Sequence, residues 1–139
     1  MIYLLDTNII IYLLKNKPPE IAERLNALPP NVRVGMSFVS WAELLKGAER
    51  STRRAQVLQQ IRQIGQIIPP RFDLDESICA HYARHFIRLK ENGTPIGGND
   101  LWIACHALSL DAVLVTNNVR EFERIDGLQV ENWVRGDLS

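Results

Sequence analysis

Short runs of uninterrupted apolar residues alternate along this chain with longer stretches in which apolar positions recur every three or four residues. Residues 2–5 (IYLL) form the first run and read as a buried strand. Thr7 or Asn8 then stands where a helix over 9–15 needs a cap. Pro18-Pro19 opens a second helical pattern, EIAERLNAL, which Pro29-Pro30 stops. A second strand is expected over 32–39. Ser40 then caps a helix, with Glu43 three residues on as in a capping box and Gly47 as a break. Apolar positions 55, 57, 58, 61 and 64 mark an amphipathic helix over 51–64, and QIIPP (66–70) reads as a short strand. A long helix is predicted from 76 to 91, ended by Asn92-Gly93. A mostly apolar helix follows in GGNDLWIACHALSL, then a strand in AVLVTNN and a last one in GLQVENW.

Strands that alternate with helices imply a parallel sheet covered on both faces, and short, wholly apolar strands suit that burial. No repeat, linker or low-complexity tract interrupts the pattern, so one domain is expected over 1–139. With 46% hydrophobic and 23% charged residues the composition is that of a globular protein. A formal net charge of zero argues against holding a polyanion by bulk charge. Cys79 and Cys105 read as free core thiols of a reducing compartment. The N-terminal run has no basic region ahead of it and is broken by Asp6 and Asn8. No stretch approaches the roughly 18–20 apolar residues that span a bilayer, and a cytoplasmic protein is expected.

Sites of open α/β sheets form beyond the carboxyl ends of the strands. Two polar clusters stand there, Asp6-Thr7-Asn8 and Thr116-Asn117-Asn118, and two acids, Glu43 and Asp100, stand near helix starts. Four distant segments thus bring Asp6, Glu43, Asp100 and Asn118 toward one edge of the sheet. Glu43 and Asp100 are equally consistent with plain helix-start roles, as a capping-box partner and a first-turn acid. Asp6 is the hardest to explain structurally, since Thr7 or Asn8 would serve as the cap. Converging carboxylates repel: a pair about 4 Å apart costs about 4 kcal/mol at an effective dielectric of about 20. A divalent cation removes that cost, and an all-oxygen donor set favours Mg²⁺ or Mn²⁺ over Zn²⁺. Such an ion binds phosphate oxygens and acidifies water, the chemistry of phosphodiester hydrolysis.

The blocks LLDTNIIIYLL, SFVSWAELLKGA, GGNDLWIACHA and LVTNNVREFERI resemble the four signature blocks of PIN-domain ribonucleases, in particular the VapC toxins of type II toxin–antitoxin pairs. The resemblance spans nearly the whole chain. It implies a three-layer α/β/α sandwich with a five-stranded parallel sheet, and a Mg²⁺- or Mn²⁺-dependent endoribonuclease whose products carry 5′-phosphate and 3′-hydroxyl ends. It further implies an RNA substrate, tRNA in several relatives, a homodimer, and a VapB-type antitoxin as partner. Carried over by position, it makes Asp6, Glu43 and Asp100 the metal-binding acids and Asn8 and Thr116 supporting polar residues. Many relatives have a fourth acid where this chain has Asn118. Glu121, one turn on, is the candidate substitute, and the number of ions, one or two, stays open.

Lys46, Arg50, Arg53, Arg54 and Arg62 face Glu49 as the only acid between 46 and 62, a net +4 that suits either a phosphate-tracking patch or a solvated helix face. His81 and His85 have zinc-compatible spacing but no third ligand nearby, and Trp102 and His106 read as packing residues. The first helix, NIIIYLL, is apolar nearly all round, which predicts burial under another element or a partner. The alternative function is a non-catalytic domain of the same fold that binds RNA or protein. A phosphoacceptor domain is disfavoured, because Asp6 has no acidic neighbour and VENWVRG has no lysine. An Asp-x-Asp phosphatase fails because position 8 is Asn.

Overall fold

The structure, a computed structural model, describes residues 1–134. Its elements run β1 (Ile2–Leu5), α1 (Thr7–Lys15), α2 (Pro19–Asn26), β2 (Arg33–Ser37), α3 (Phe38–Glu49), α4 (Arg54–Ile67), β3 (Pro70–Arg71), α5 (Glu76–Glu91), α6 (Gly98–Ser109), β4 (Val113–Val115), α7 (Val119–Phe122) and β5 (Gln129–Glu131). The five strands form one sheet in the order β3-β2-β1-β4-β5, and every pairing is parallel. The chain moves outward from β1 through β2 to β3, then returns to lay β4 on the other side of β1. The order therefore reverses between β1 and β4, the place where a parallel sheet opens a crevice at its carboxyl edge.

Alternation within the strands divides the apolar residues between two cores. Leu4 and Leu114 point into one, with Ile78 and Leu89 of α5, Leu101 and Ile103 of α6, and Phe122 of α7. Leu5, Met36 and Val115 point into the other, with Ile9 and Ile10 of α1, Ile21 of α2 and Ile61 of α4. Helix α3 serves both, through Val39 on one side and Leu44 and Ala48 on the other. Two helical layers thus sandwich the sheet, the expected α/β/α architecture. The apolar circumference of α1 is explained within the chain: Ile9 and Ile10 are fully buried, and Ile11, Tyr12, Leu13 and Leu14 pack partly buried against the same core. Its last turn ends at Asn16, whose φ of +56° is left-handed and tolerable for Asn. Gly65 is a close-approach position, since a Cβ there would stand 2.9 Å from the Trp41 ring.

Several boundaries differ from the sequence reading. Asp6, not Thr7 or Asn8, is the N-cap of α1, its carboxylate accepting from Thr7 N. Strand β2 ends at Ser37 rather than 39, and Ser37 caps α3 by accepting from Val39 N at 3.2 Å. Ser40 is buried inside the helix, and Gly47 neither breaks nor stops it. Phe38 and Val39 suit a strand and a helix equally, so pattern alone misplaces the cap. Helix α4 begins at 54 and runs to 67, and β3 is only Pro70–Arg71, because Ile61, Ile64 and Ile68 continue the helical period. Cys79 is exposed; only Cys105 is a core thiol. No helix among the described residues is long and apolar enough to cross a membrane.

Candidate active site

Asp6 and Thr116 follow the adjacent strands β1 and β4, at the point where strand order reverses. Asp6 is 4% exposed, which for a carboxylate demands compensation. Its Oδ1 accepts from Thr7 N at 2.7 Å and its Oδ2 from Thr116 Oγ1 at 2.8 Å. Thr116 Oγ1 in turn accepts from Asn118 N at 3.0 Å, so one buried hydroxyl ties the first and last polar clusters together. Burial raises the Asp6 carboxyl above its usual range. The two hydrogen bonds oppose that rise, and the charges of Glu43 and Glu121 add to it.

Glu43 reaches the same crevice from the second turn of α3, too far along to be a capping-box partner now that the cap is Ser37. Thr7 Oγ1 donates to its Oε1 at 2.6 Å and lies 2.9 Å from Ser40 Oγ. Asn99 Nδ2 approaches Oε2 at 3.4 Å. Asp100 stands in the first turn of α6, and Glu121 in that of α7. The carboxyl of Asp100 is pushed up to about 7, first by burial, then by the charges of Asp6 and Glu121, a hydrogen bond shared with Glu121, and the charge of Glu43. Burial also works to raise Glu121. Hydrogen bonds from the Asn118 amide (2.9 Å), Gly97 N (3.3 Å) and Asp100, with the Arg124 charge, outweigh it and hold Glu121 below its usual value. The two groups are thus pushed in opposite directions, Asp100 up and Glu121 down, by their burial and by the hydrogen bond they share.

Asp6, Glu43, Asp100 and Glu121 are therefore mutually felt charges in one crevice. Asp6, Asp100 and Glu121 sit at helix N-termini, whose dipoles soften the repulsion. Asn118 points its amide at Glu121, and so supports the acid one turn on. Asn8 is exposed, and the hydroxyl beside it, Thr7, makes the contact with Glu43. Thr7 and Ser40 were read from the sequence only as helix caps, and Asn99 was not singled out. Their signal was only polarity at the start of an apolar helix, which a cap explains equally well.

Among the described residues no group of three or more His, Cys, Asp and Glu side chains closes around an ion position. His81 and His85 stack on each other at 6.2 Å with no third ligand, against a zinc role. Trp102 stacks on Tyr82 while also lining an open cleft, and His106 is fully buried against Ser37 Oγ at 2.9 Å, a packing role. In the basic segment Arg54 is paired with Glu49 at 2.6 Å, while Lys46, Arg50, Arg53 and Arg62 are exposed.

Residues 3–128 match the PIN domain family. The chain is 53% identical over 135 residues to Ribonuclease VapC1 of Haemophilus influenzae (strain R2866), covering 97% of this chain and all of that protein. It is 38% identical over 134 residues to the tRNA(fMet)-specific endonuclease VapC of Salmonella typhimurium, covering 94% of this chain and 97% of the relative. A solved structure of VapBC-1 from nontypeable Haemophilus influenzae superposes with a TM-score of 0.90 at 53% identity, over 96% of this chain and 98% of that one. With its parallel sheet, acids at the strand reversal and full-length similarity, the chain belongs to the PIN-domain family and, within it, to the VapC ribonucleases.

Proposed function

We propose that the chain is a metal-dependent endoribonuclease, the toxin of a toxin–antitoxin pair, and that Asp6, Glu43, Asp100 and Glu121 form its active site. The hydrogen bonds that link the acids across four distant segments carry this reading: Thr7 joins Asp6 to Glu43, and Thr116 and Asn118 join Asp6 to Glu121, whose charge Asp100 feels. A structural role gives no reason to gather so much like charge. The donor set is all oxygen. That suits Mg²⁺ or Mn²⁺, since Mg²⁺ keeps several waters and takes only one or two carboxylates beside substrate phosphates. Asp6 and Asp100 would hold the ion, with Glu43 assisting. When bound, such an ion offsets the carboxylate repulsion and supplies a Lewis acid for the scissile phosphate.

The chain's own residues do the rest. Asp6 is fixed by Thr7 N and Thr116 Oγ1, so its carboxylate is presented without rotamer freedom. Glu43, steadied by Thr7 and Asn99, keeps free lone pairs and accepts a proton from the attacking water. Glu121, steered by the Asn118 amide and hydrogen-bonded to Asp100, takes the place of the fourth acid and would add its charge to the group that holds the ion. The substrate proposed is tRNA(fMet), carried over from the name of the Salmonella relative, and the partner a VapB-type antitoxin, from the VapBC assembly of the solved neighbour. A homodimer is also proposed, as in relatives. Incubating the purified chain with tRNA(fMet) and Mg²⁺ should give fragments with 5′-phosphate and 3′-hydroxyl ends, and none in EDTA. Cleavage undiminished by EDTA overturns the metal-dependent mechanism.

The exposed cations of the basic segment extend this site. Arg50, the C-cap of α3, lies seven residues beyond Glu43, about 10 Å along the axis at about 1.5 Å per residue. We expect Arg50→Ala/Arg53→Ala to weaken RNA binding several-fold at low salt and to flatten the plot of log K against log[salt] by about one to two units, read by fluorescence anisotropy. Arg54→Ala should matter less, because Glu49 already neutralises Arg54. An unchanged salt slope would leave the segment a solvated face.

A further inference from the structure

Beside the carboxylates, between α3, α5 and α6, lies a cleft of about 520 Å³. It is within the range of small-ligand pockets, about 300–1,000 Å³. Glu43 and Asn99 belong both to this cleft and to the acid cluster, and they form its boundary with the candidate active site. The other walls are mostly apolar, with Phe38 and Trp102 the aromatic ones. Tyr82 stacks on the Trp102 indole at 3.9 Å and 12°, which fixes that ring without closing the cleft. Lys46 is the single cation of the lining, one turn beyond Glu43 on α3.

We propose that this cleft is a nucleobase pocket, which receives an unpaired base of the RNA next to the phosphate cut at the carboxylates. The inference rests on the ribonuclease reading above and deepens it, because it assigns the residues that choose the sequence around the cut. A phosphodiester placed against Glu43 necessarily carries its flanking bases past a cavity that shares Glu43 as a wall. Proteins read single-stranded RNA by splaying bases out onto aromatic side chains, with a few polar groups at the base edge. Phe38 and the clamped Trp102 offer the aromatic surface, and Asn99 offers both a donor and an acceptor. Lys46 meets the adjoining phosphate. An apolar protein segment would fill the same volume. It gives no reason, however, for the opening to sit against a carboxylate and a lysine one turn apart.

The cleft carries its own reporter. Cys79 is exposed and lines it, whereas Cys105 is buried, so N-ethylmaleimide modifies the two thiols selectively. The experiment follows Cys79 alkylation of the full chain in EDTA, with and without tRNA(fMet), while anisotropy confirms binding. The rate should fall about tenfold with RNA at about ten times its Kd. In parallel, Ala42→Leu narrows the cleft from an exposed helical position that tolerates Leu. Its kcat/KM on tRNA(fMet) in Mg²⁺ should drop about tenfold or more, the worth of one lost base stack. Full-rate alkylation in bound RNA overturns the proposal, as does wild-type cleavage by Ala42→Leu. Protection that appears on raising the protein concentration without RNA also overturns it, and assigns the cleft to a second copy of the chain. Loss of antitoxin inhibition alone in Ala42→Leu overturns it in favour of the antitoxin. If the wild-type chain cleaves no RNA in Mg²⁺ yet RNA protects Cys79, the nuclease reading has failed and the pocket stands.

Discussion

Replacing Asp100 by Asn is expected to slow RNA cleavage about a thousandfold and, in the metal-free chain at pH 7.5, to raise the unfolding temperature. The loss of rate follows from removing one of the two carboxylates proposed to hold the ion, worth several kcal/mol of transition-state stabilisation. The gain in stability follows from the proton. The Asp100 carboxyl is held at about 7 in the folded chain against an ordinary 3.8. Between those values the folded state keeps a proton that the unfolded state releases. Stability is therefore fully present below about 3.8, falls as pH rises, and has lost its full amount above about 7. The depressed Glu121 works the other way, but near its own ordinary value of 4.5. The decline should stand out between about pH 5 and 7.5. An amide of the same shape removes this dependence. Because Asp100 is only half-buried, water screens the effect, and a rise of about 2–5 °C is expected. Thermal scans of both chains in EDTA across that window check it, and parallel pH profiles would refute a strained carboxyl. Added Mg²⁺ should raise the wild-type melting temperature more than that of the Asn variant, by binding only the folded form.

Trp133→Ala should cost about 3–5 kcal/mol, a large share of the roughly 5–15 kcal/mol that holds a domain of this kind together. Trp133 is 2% exposed and follows the edge strand β5. It meets Tyr3 edge-on at 5.7 Å, its Nε1 donates to Glu131 Oε1 at 3.1 Å, and the Arg24 guanidinium lies over its ring at 5.6 Å. Truncation removes all three contacts and opens the second core at the sheet's edge. Urea titration should show the midpoint fall with little change in m. Phe72→Ser, at a residue 64% exposed, should stay within about 0.5 kcal/mol of wild type. A cost near zero for Trp133→Ala would mean that the core does not depend on the chain beyond β5.

Much of the architecture was legible because burial on both faces of a parallel sheet leaves a strong mark. Ile2–Leu5 and Val113–Val115 are apolar at every position, which a half-exposed strand would not be. Boundaries were less legible where one residue type serves two purposes. Ser37 and Ser40 are equally good caps on paper, and only the hydrogen bond from Val39 N to Ser37, with Ser40 buried inside the helix, distinguishes them. The same ambiguity concealed Thr7, which passes for a cap but holds Glu43. Asp6 carries both functions: its carboxylate caps α1 and faces the acid cluster.

By itself the sequence determined the alternation of strands and helices and the short apolar cores, since those follow from local pattern, and it offered Asp6, Glu43 and Asp100 as candidate acids. Only the tertiary structure decided that Glu121 joins the cluster with Asn118 as its steering amide, that burial and its neighbours push the Asp100 carboxyl up, that Arg54 is already neutralised, and that a cleft opens beside Glu43. Each of these depends on distance and burial between segments far apart in the chain, and the field at a carboxylate is set by what folds against it.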